Sequence, residues 1–189
     1  MLTTLRVVRA PLRALLLGIA ALFAVPAAAH AAACPGADQL PTAATLTQAR
    51  RATLCLVNVQ RRSHGLSQLR TNATLQRSAE SYSRQMVRQS FFDHVSPSGV
   101  TFDERIHKLT SYLAHTLRWE VGENIAWGSG SLATPANIVN AWMHSAEHRH
   151  NILHASYREM GMGIAIGAPV RLSAAARAAT YTNQFGRRG

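Results

Sequence analysis

Acidic side chains are scarce in this chain: nine Asp and Glu stand against 20 Lys and Arg among 189 residues, a formal net charge of +11 at pH 7. Charged residues of both signs make up only 15%, beside 47% hydrophobic, which excludes a disordered tail protein and a long charged coiled coil. Aromatic residues are few, at 6%, so the apolar content rests largely on aliphatic side chains and alanine. No apolar run reaches the roughly 20 residues that span a bilayer. There is no internal repeat. Gly122 and Gly128 have no lysine or helix-opening G-x-G-x-x-G beside them, which excludes a phosphate loop and leaves close backbone approach or unusual dihedrals as their use. The length suits one domain with a substantial core.

What is present begins with an address. Arg6, Arg9 and Arg13 precede an apolar run from Ala14 to Val25, and small residues follow from Ala27 to Ala33. That is the layout of a secretory signal peptide over residues 1–33, with cleavage expected between about 29 and 33. An uncleaved anchor and lipidation of Cys34 are the alternatives; Ala31 stands where a lipidation signal would carry a larger aliphatic. Removal of the leader takes three arginines and no acid, leaving 17 basic against nine acidic side chains. The surplus of positive charge favours anionic lipid or polymer, and export takes nucleic acid off the list of partners.

Cys34 and Cys55 are the two cysteines, and both lie in the exported part, where thiols meet an oxidising environment. A disulfide between them would tie the strap of residues 34–45, marked by Pro35, Gly36 and Pro41, to the helix that follows. The alternative is a buried free Cys55.

Thr45 with Gln48 fits a capping box, and Ala49, Ala52, Leu56 and Val59 continue at helical spacing until His64-Gly65. Asn72 reads as the N-cap of a second helix with Leu75, Ala79, Tyr82 and Met86 inward and Arg77, Arg84 and Arg88 outward. A short helix is expected from Thr101 to Leu109 and an extended segment from Trp119 to Trp127. Thr134 as N-cap with Pro135 at the first helical position opens a helix expected to run to about Ala146. Met160 to Ile166 and Ala179 to Phe185 read as paired antiparallel strands. The order implies an α+β or three-layer domain. Phe91, Phe92, Trp127 and Trp142 read as core or cleft wall.

Histidine is the commonest metal ligand and the usual acid or base near neutral pH. Five of the nine histidines gather in two places: His94, and the group His144, His148, His150 and His154. His144-Ser145-Ala146-Glu147-His148 matches H-x-x-E-H, an inverted zinc-peptidase pattern, with Glu159 as the one downstream candidate for a third ligand.

More residues are covered by a different pattern. Asn58-x-x-Arg61, Phe92-x-His94-x-x-Pro97-x-Gly99, Gly122-Glu123-Asn124-Ile125-Ala126, Trp142-Met143-x-Ser145-x-x-His148-Arg149-x-Asn151-Ile152-Leu153 and Gly161-x-Gly163 stand in order along the chain. Together they closely resemble the bacterial, SCP-like extracellular branch of the CAP superfamily, which unites cysteine-rich secretory proteins, antigen 5 and plant pathogenesis-related proteins of class 1. The resemblance covers residues 46–186. It implies a three-layer α-β-α sandwich with a central antiparallel sheet, and a shallow cleft in which His94, Glu123 and His148 are the site residues. A further glutamate of the animal and plant branches is replaced here by Ser145. The motif leaves His144 and His150 free, which undercuts the zinc-peptidase reading.

Two neutral imidazoles and a carboxylate suit zinc or another divalent ion with a position left for water, and metal binding by animal members implies the same; no cofactor is otherwise required. His94 or His148 with Glu123 would also serve as an acid/base pair, although no nucleophile stands out beyond Ser96 and Ser145. The third alternative is a hydrogen-bonded network that fixes loops. These residues therefore lead to a secreted module, expected to be a monomer, that binds an envelope or extracellular ligand. The alternatives are an exported hydrolase of peptides, glycans or lipids using the same cleft, and a lipid-binding module.

Overall fold

The computed structural model describes residues 34–109, 111–114, 116–173 and 176–189. The expected leader and its cleavage point lie outside them. Helix α1 (Leu46–Ser63) buries Ala49, Ala52, Leu56 and Val57, with Val59 packed against the same cluster. Its expected capping box is displaced. Thr45 turns its hydroxyl back to accept the Thr42 N–H at 2.9 Å, closing a short 3-10 turn at Ala43–Thr45. Gln48 instead lies against Gly36, its Cγ 2.8 Å from where a Cβ would stand.

Helix α2 (Ala73–Gln89) starts as the sequence indicates. The Asn72 side chain accepts from the N–H groups of Thr74 and Leu75 at 2.9 and 3.1 Å. Leu75, Ala79, Tyr82 and Met86 are buried, whereas Arg77, Arg84 and Arg88 face solvent. Helix α3 (Phe102–Leu109) follows. The helix opened by Thr134 and Pro135 stops earlier than expected and is two helices, α4 (Pro135–His144) and α5 (Ala146–Ile152). Ser145 between them is extended, with φ −97° and ψ 127°, so the apolar phase of α4 does not continue into α5.

Strands β2 (Trp119–Ser129), β3 (Glu159–Ile166) and β4 (Ala178–Arg188) are antiparallel, and the two-residue β1 (Arg70–Thr71) joins β3 in parallel; the order is β1-β3-β4-β2. β2 is thus an edge strand. Both late strands and their antiparallel pairing agree with the sequence reading, and β2 runs two residues beyond it. The period of two along β3 sorts the layers. Met160, Met162 and Ile164 pack in one cluster with Leu56 and Val57 of α1 and Ile138 and Trp142 of α4. Gly161 and Gly163 turn the other way, toward α2, where a Cβ would fall 2.1 Å from Gln76 N and from Ala79 C. Two missing side chains let the α2 backbone lie directly on the sheet. The result is the α-β-α sandwich.

Cys34 and Cys55 form a disulfide, and the Ala136 N–H donates to Ala37 O at 2.9 Å. The strap is thereby held to both α1 and α4. Among the described residues no helix is long and apolar enough to cross a membrane.

Candidate functional site

Three elements meet at the β2 edge of the sheet. His94 comes from the loop between α2 and α3, Glu123 from β2 itself, and His148 from α5. The loop carrying His94 is braced on both sides. Tyr82 donates its hydroxyl to Asp93 O at 2.6 Å, the Asp93 carboxylate accepts the Val95 N–H at 2.9 Å, and Ser96 to Gly99 closes a turn at 2.8 Å. Arg105 Nη1 donates to His94 O at 2.9 Å and to Val100 O at 3.1 Å.

The Glu123 side chain is wholly inaccessible to solvent. Arg105 Nη2 lies 2.8 Å from both its oxygens, Gln184 Nε2 donates to Oε2 at 3.1 Å, and His94 Nδ1 meets Oε1 at 3.0 Å. A carboxylate with four such contacts has its acceptor capacity filled. His148 is fixed through its backbone: Asn124 Nδ2 donates to His148 O at 3.0 Å, and Asn151 Nδ2 reaches Glu123 O at 3.2 Å and Asn124 Oδ1 at 2.9 Å. Its ring nitrogen Nδ1 is buried with no hydrogen-bond partner among the described residues. Burial lowers the His148 pKa below its ordinary value, and the nearby charge of His94 adds to this against the opposing pull of Glu147. The ring is therefore neutral at pH 7.

The structure thus brings His94 directly onto Glu123 and sets His148 near His94. Two neighbours in the sequence are not part of this arrangement. His144 Nδ1 pairs with Asn140 O at 2.8 Å on the exposed side of α4, and the break at Ser145 puts it on a different helix from His148. An H-x-x-E-H face therefore does not exist. Glu159 is engaged elsewhere, by Asn72, Tyr112 and Arg188. Among the described residues, no group of three or more His, Cys, Asp or Glu side chains converges to hold a metal ion. Nor does any serine hydroxyl bond to His94 or His148; Ser96 Oγ is turned to Ser98 and the Val100 N–H.

Of the aromatics, Trp142 is core and donates to Ile125 O at 3.2 Å, and Phe91 packs edge-on against Tyr82; Phe92, beside His94, is 42% exposed. Gly122 and Gly128 are close-approach glycines: a Cβ would meet the Tyr157 hydroxyl and Leu132 O, each at 2.4 Å. Arg105, 3% exposed, was not among the residues singled out by the sequence. Its signal was there, since Phe102, Arg105 and Ile106 share one face of α3, putting an arginine in the apolar phase.

The sequence pattern of the cysteine-rich secretory protein family, CAP, matches residues 54–173. The chain belongs to the CAP family. It is 38% identical over 109 residues to the uncharacterized protein YkwD of Bacillus subtilis (strain 168), a match covering 57% of this chain and 39% of that protein. The CAP fold is also seen in a crystal structure of an extracellular protein containing a SCP domain from Bacillus anthracis str. Ames, with a TM-score of 0.59, 24% identity, and coverage of 78% of this chain and 44% of that one. An outer surface protein from Borrelia burgdorferi superposes with a TM-score of 0.53 at 19% identity, over 72% of this chain and 90% of its own. This chain therefore spans about two-fifths of the first two relatives, and nine-tenths of the third.

In this frame the block Asn58-x-x-Arg61 is structural. Asn58 pairs with the Leu69 backbone in both directions, at 3.0 and 2.8 Å, and the buried Arg61 donates to the carbonyls of Ser67, Ile152, His154 and Tyr157. These bonds clamp the connection from α5 to β3 on α1, and so support the helix that carries His148.

Proposed function

We propose that this CAP protein is an exported ligand-binding module whose site is the imidazole pair His94 and His148, with Glu123 behind His94 as its orienting carboxylate. The observation that carries the reading is the occupancy of Glu123. Both oxygens are taken by Arg105 and further shared with Gln184 and His94, so the carboxylate has no lone pair to offer a ligand. The imidazoles remain. His94 is held through Nδ1, which leaves Nε2 as its free ligating nitrogen, the usual arrangement of a carboxylate-backed metal histidine.

The donor chemistry of these two rings fits a divalent transition ion such as zinc, whereas Glu123 does not fit as a third ligand. A bound ion would supply a Lewis-acidic anchor for an anionic or carbonyl group of the ligand. Two nitrogens leave the rest of the shell to water or ligand. The same occupancy keeps Glu123 itself from serving as the general base of a hydrolase, and neither imidazole has a serine partner among the described residues. Phe92 and Val95 flank His94, each 42% exposed, and give the ligand an apolar rim. Export is supported by the leader pattern and by a disulfide that begins directly after it.

Zinc titration of the purified protein, followed by the imidazole Hε1 resonances, tests the reading. His94 and His148 should shift together, and His94→Ala should abolish the shift at His148. Unchanged resonances at both rings would remove the metal and leave the network as a device that fixes the residue 93–100 loop on β2.

A further inference from the structure

A second histidine pair stands outside the cleft. His150, on the last turn of α5, is exposed, and its ring makes no side-chain hydrogen bond with another described residue. His154 follows four positions later in the connection to β3. The two ring centres are 5.4 Å apart with planes at 77°.

His154 is the fixed member. Its ring lies over Tyr157 with centres 4.5 Å apart, and its carbonyl is held by Arg61 at 3.0 Å. Ser156 Oγ contacts His154 Nδ1 at 2.9 Å and donates its own proton to Glu120 Oε2. A hydroxyl has one proton to give, so Nδ1 of His154 must be the donor toward Ser156. In the neutral ring that tautomer leaves the lone pair on Nε2, the atom free to ligate. Glu120, 3.7 Å from His154 Nδ1 and also 3.7 Å from Arg187, completes a carboxylate-hydroxyl-imidazole series behind the ring.

The separation of the rings matches a chelate. With metal–nitrogen bonds of about 2.0–2.1 Å, an imidazole centre lies about 3.2 Å from the ion, and two such centres at the tetrahedral angle are about 5.2 Å apart. We propose that His150 and His154 form a surface zinc site, independent of the His94 and His148 cleft, with Ser156 and Glu120 as the groups that fix the His154 tautomer. Water or donors of a second macromolecule fill the remaining two positions of the tetrahedron. His150 supplies the adjustable arm, because its exposed ring can turn onto an ion already held by His154.

Zinc titrations of four full chains, by calorimetry and imidazole NMR, decide the matter: wild type, His94→Ala/His148→Ala, His150→Ala/His154→Ala, and the combination. The cleft variant should still take up one zinc and shift His150 and His154 together; the combined variant should take up none. Ser156→Ala in the cleft-variant background should weaken that uptake about tenfold or more, as loss of an orienting partner does at other metal histidines. His150 is exposed, so His150→Ala alone gives a folded control that should also weaken it. No uptake by the cleft variant, or uptake that survives in the combined variant, overturns the proposal. A response at this pair with none at His94 and His148 would overturn the cleft reading alone.

Discussion

The Arg105 guanidinium places Nη2 2.8 Å from each oxygen of Glu123, and both groups are almost completely buried. The same guanidinium lies 3.2 Å above the centre of the Tyr82 ring and holds the carbonyl of His94. One arginine thus neutralises the carboxylate of the site and sets the position of its first histidine.

Removing one member of a buried pair leaves an uncompensated charge, so Arg105→Met should destabilise the protein by about 3–5 kcal/mol. Arg105→Met/Glu123→Gln should cost less than the two single changes together, by about 2 kcal/mol, because the stranded carboxylate is gone. Urea unfolding of the three variants measures this. Additive losses would mean that the two side chains stabilise the fold independently.

That relationship also marks where the sequence was legible. Caps and periodicity placed α2, α4 and the late strands because Asn72, Thr134 and Pro135 act on backbone groups within a turn of themselves. His94, Glu123 and His148 were visible as residue types in a recognisable order. Which atom each would offer was not, because that depends on Arg105 and Gln184, which reach Glu123 from 18 and 61 positions away. The stop at Ser145 was hidden for a similar reason. Nothing in Trp142-Met143-His144-Ser145-Ala146 breaks a helix, and the new helix starts where Asn124 and Asn151 stitch α5 to β2.

Gly163 faces the backbone of α2, and a Cβ there would stand 2.1 Å from Ala79 C and 2.2 Å from Ala79 O. Backbone cannot swing aside as a side-chain tip can. Gly163→Ala should therefore cost about 3 kcal/mol, at the upper end of overpacking effects. Gly65→Ala is the comparison: φ there is +68° with nothing within 4 Å of the added carbon, so its cost should be the conformational one of about 1–2 kcal/mol. Equal losses in thermal unfolding would show that α2 can move away from the sheet.

The Cys34–Cys55 bond closes a sequence separation of 21 residues. Loop entropy assigns such a closure about 3 kcal/mol. Cys34→Ser/Cys55→Ser should lower unfolding stability by that amount, with the imidazole resonances of the cleft unchanged, since the strap is tied to α1 through the disulfide and to α4 through Ala37. A loss below about 1 kcal/mol would mean that contacts such as Ala136 N–H to Ala37 O hold the strap without the bond.

His148 ties stability to pH in a defined direction. Its folded pKa is depressed by burial and by His94, so above its ordinary value of 6.5 the ring is neutral in both folded and unfolded chains and the stability contribution is complete. As pH falls below 6.5 the unfolded chain takes up the proton first, and stability declines until the folded ring protonates as well. Urea midpoints between pH 7.5 and 4.5, compared with those of His148→Gln, isolate this contribution, because Gln keeps a polar group of similar reach but does not titrate. The wild-type curve should fall more steeply than the variant's just below pH 6.5. Parallel curves would mean that His148 does not link stability to pH in this range, and Glu159 acts only at lower pH. Burial alone would raise the pKa of that carboxylate, but hydrogen bonds from Asn72 and Tyr112 and the charge of Arg188 outweigh it and lower the value. Its contribution is therefore lost only below the ordinary glutamate value of 4.5, a window separate from that of His148.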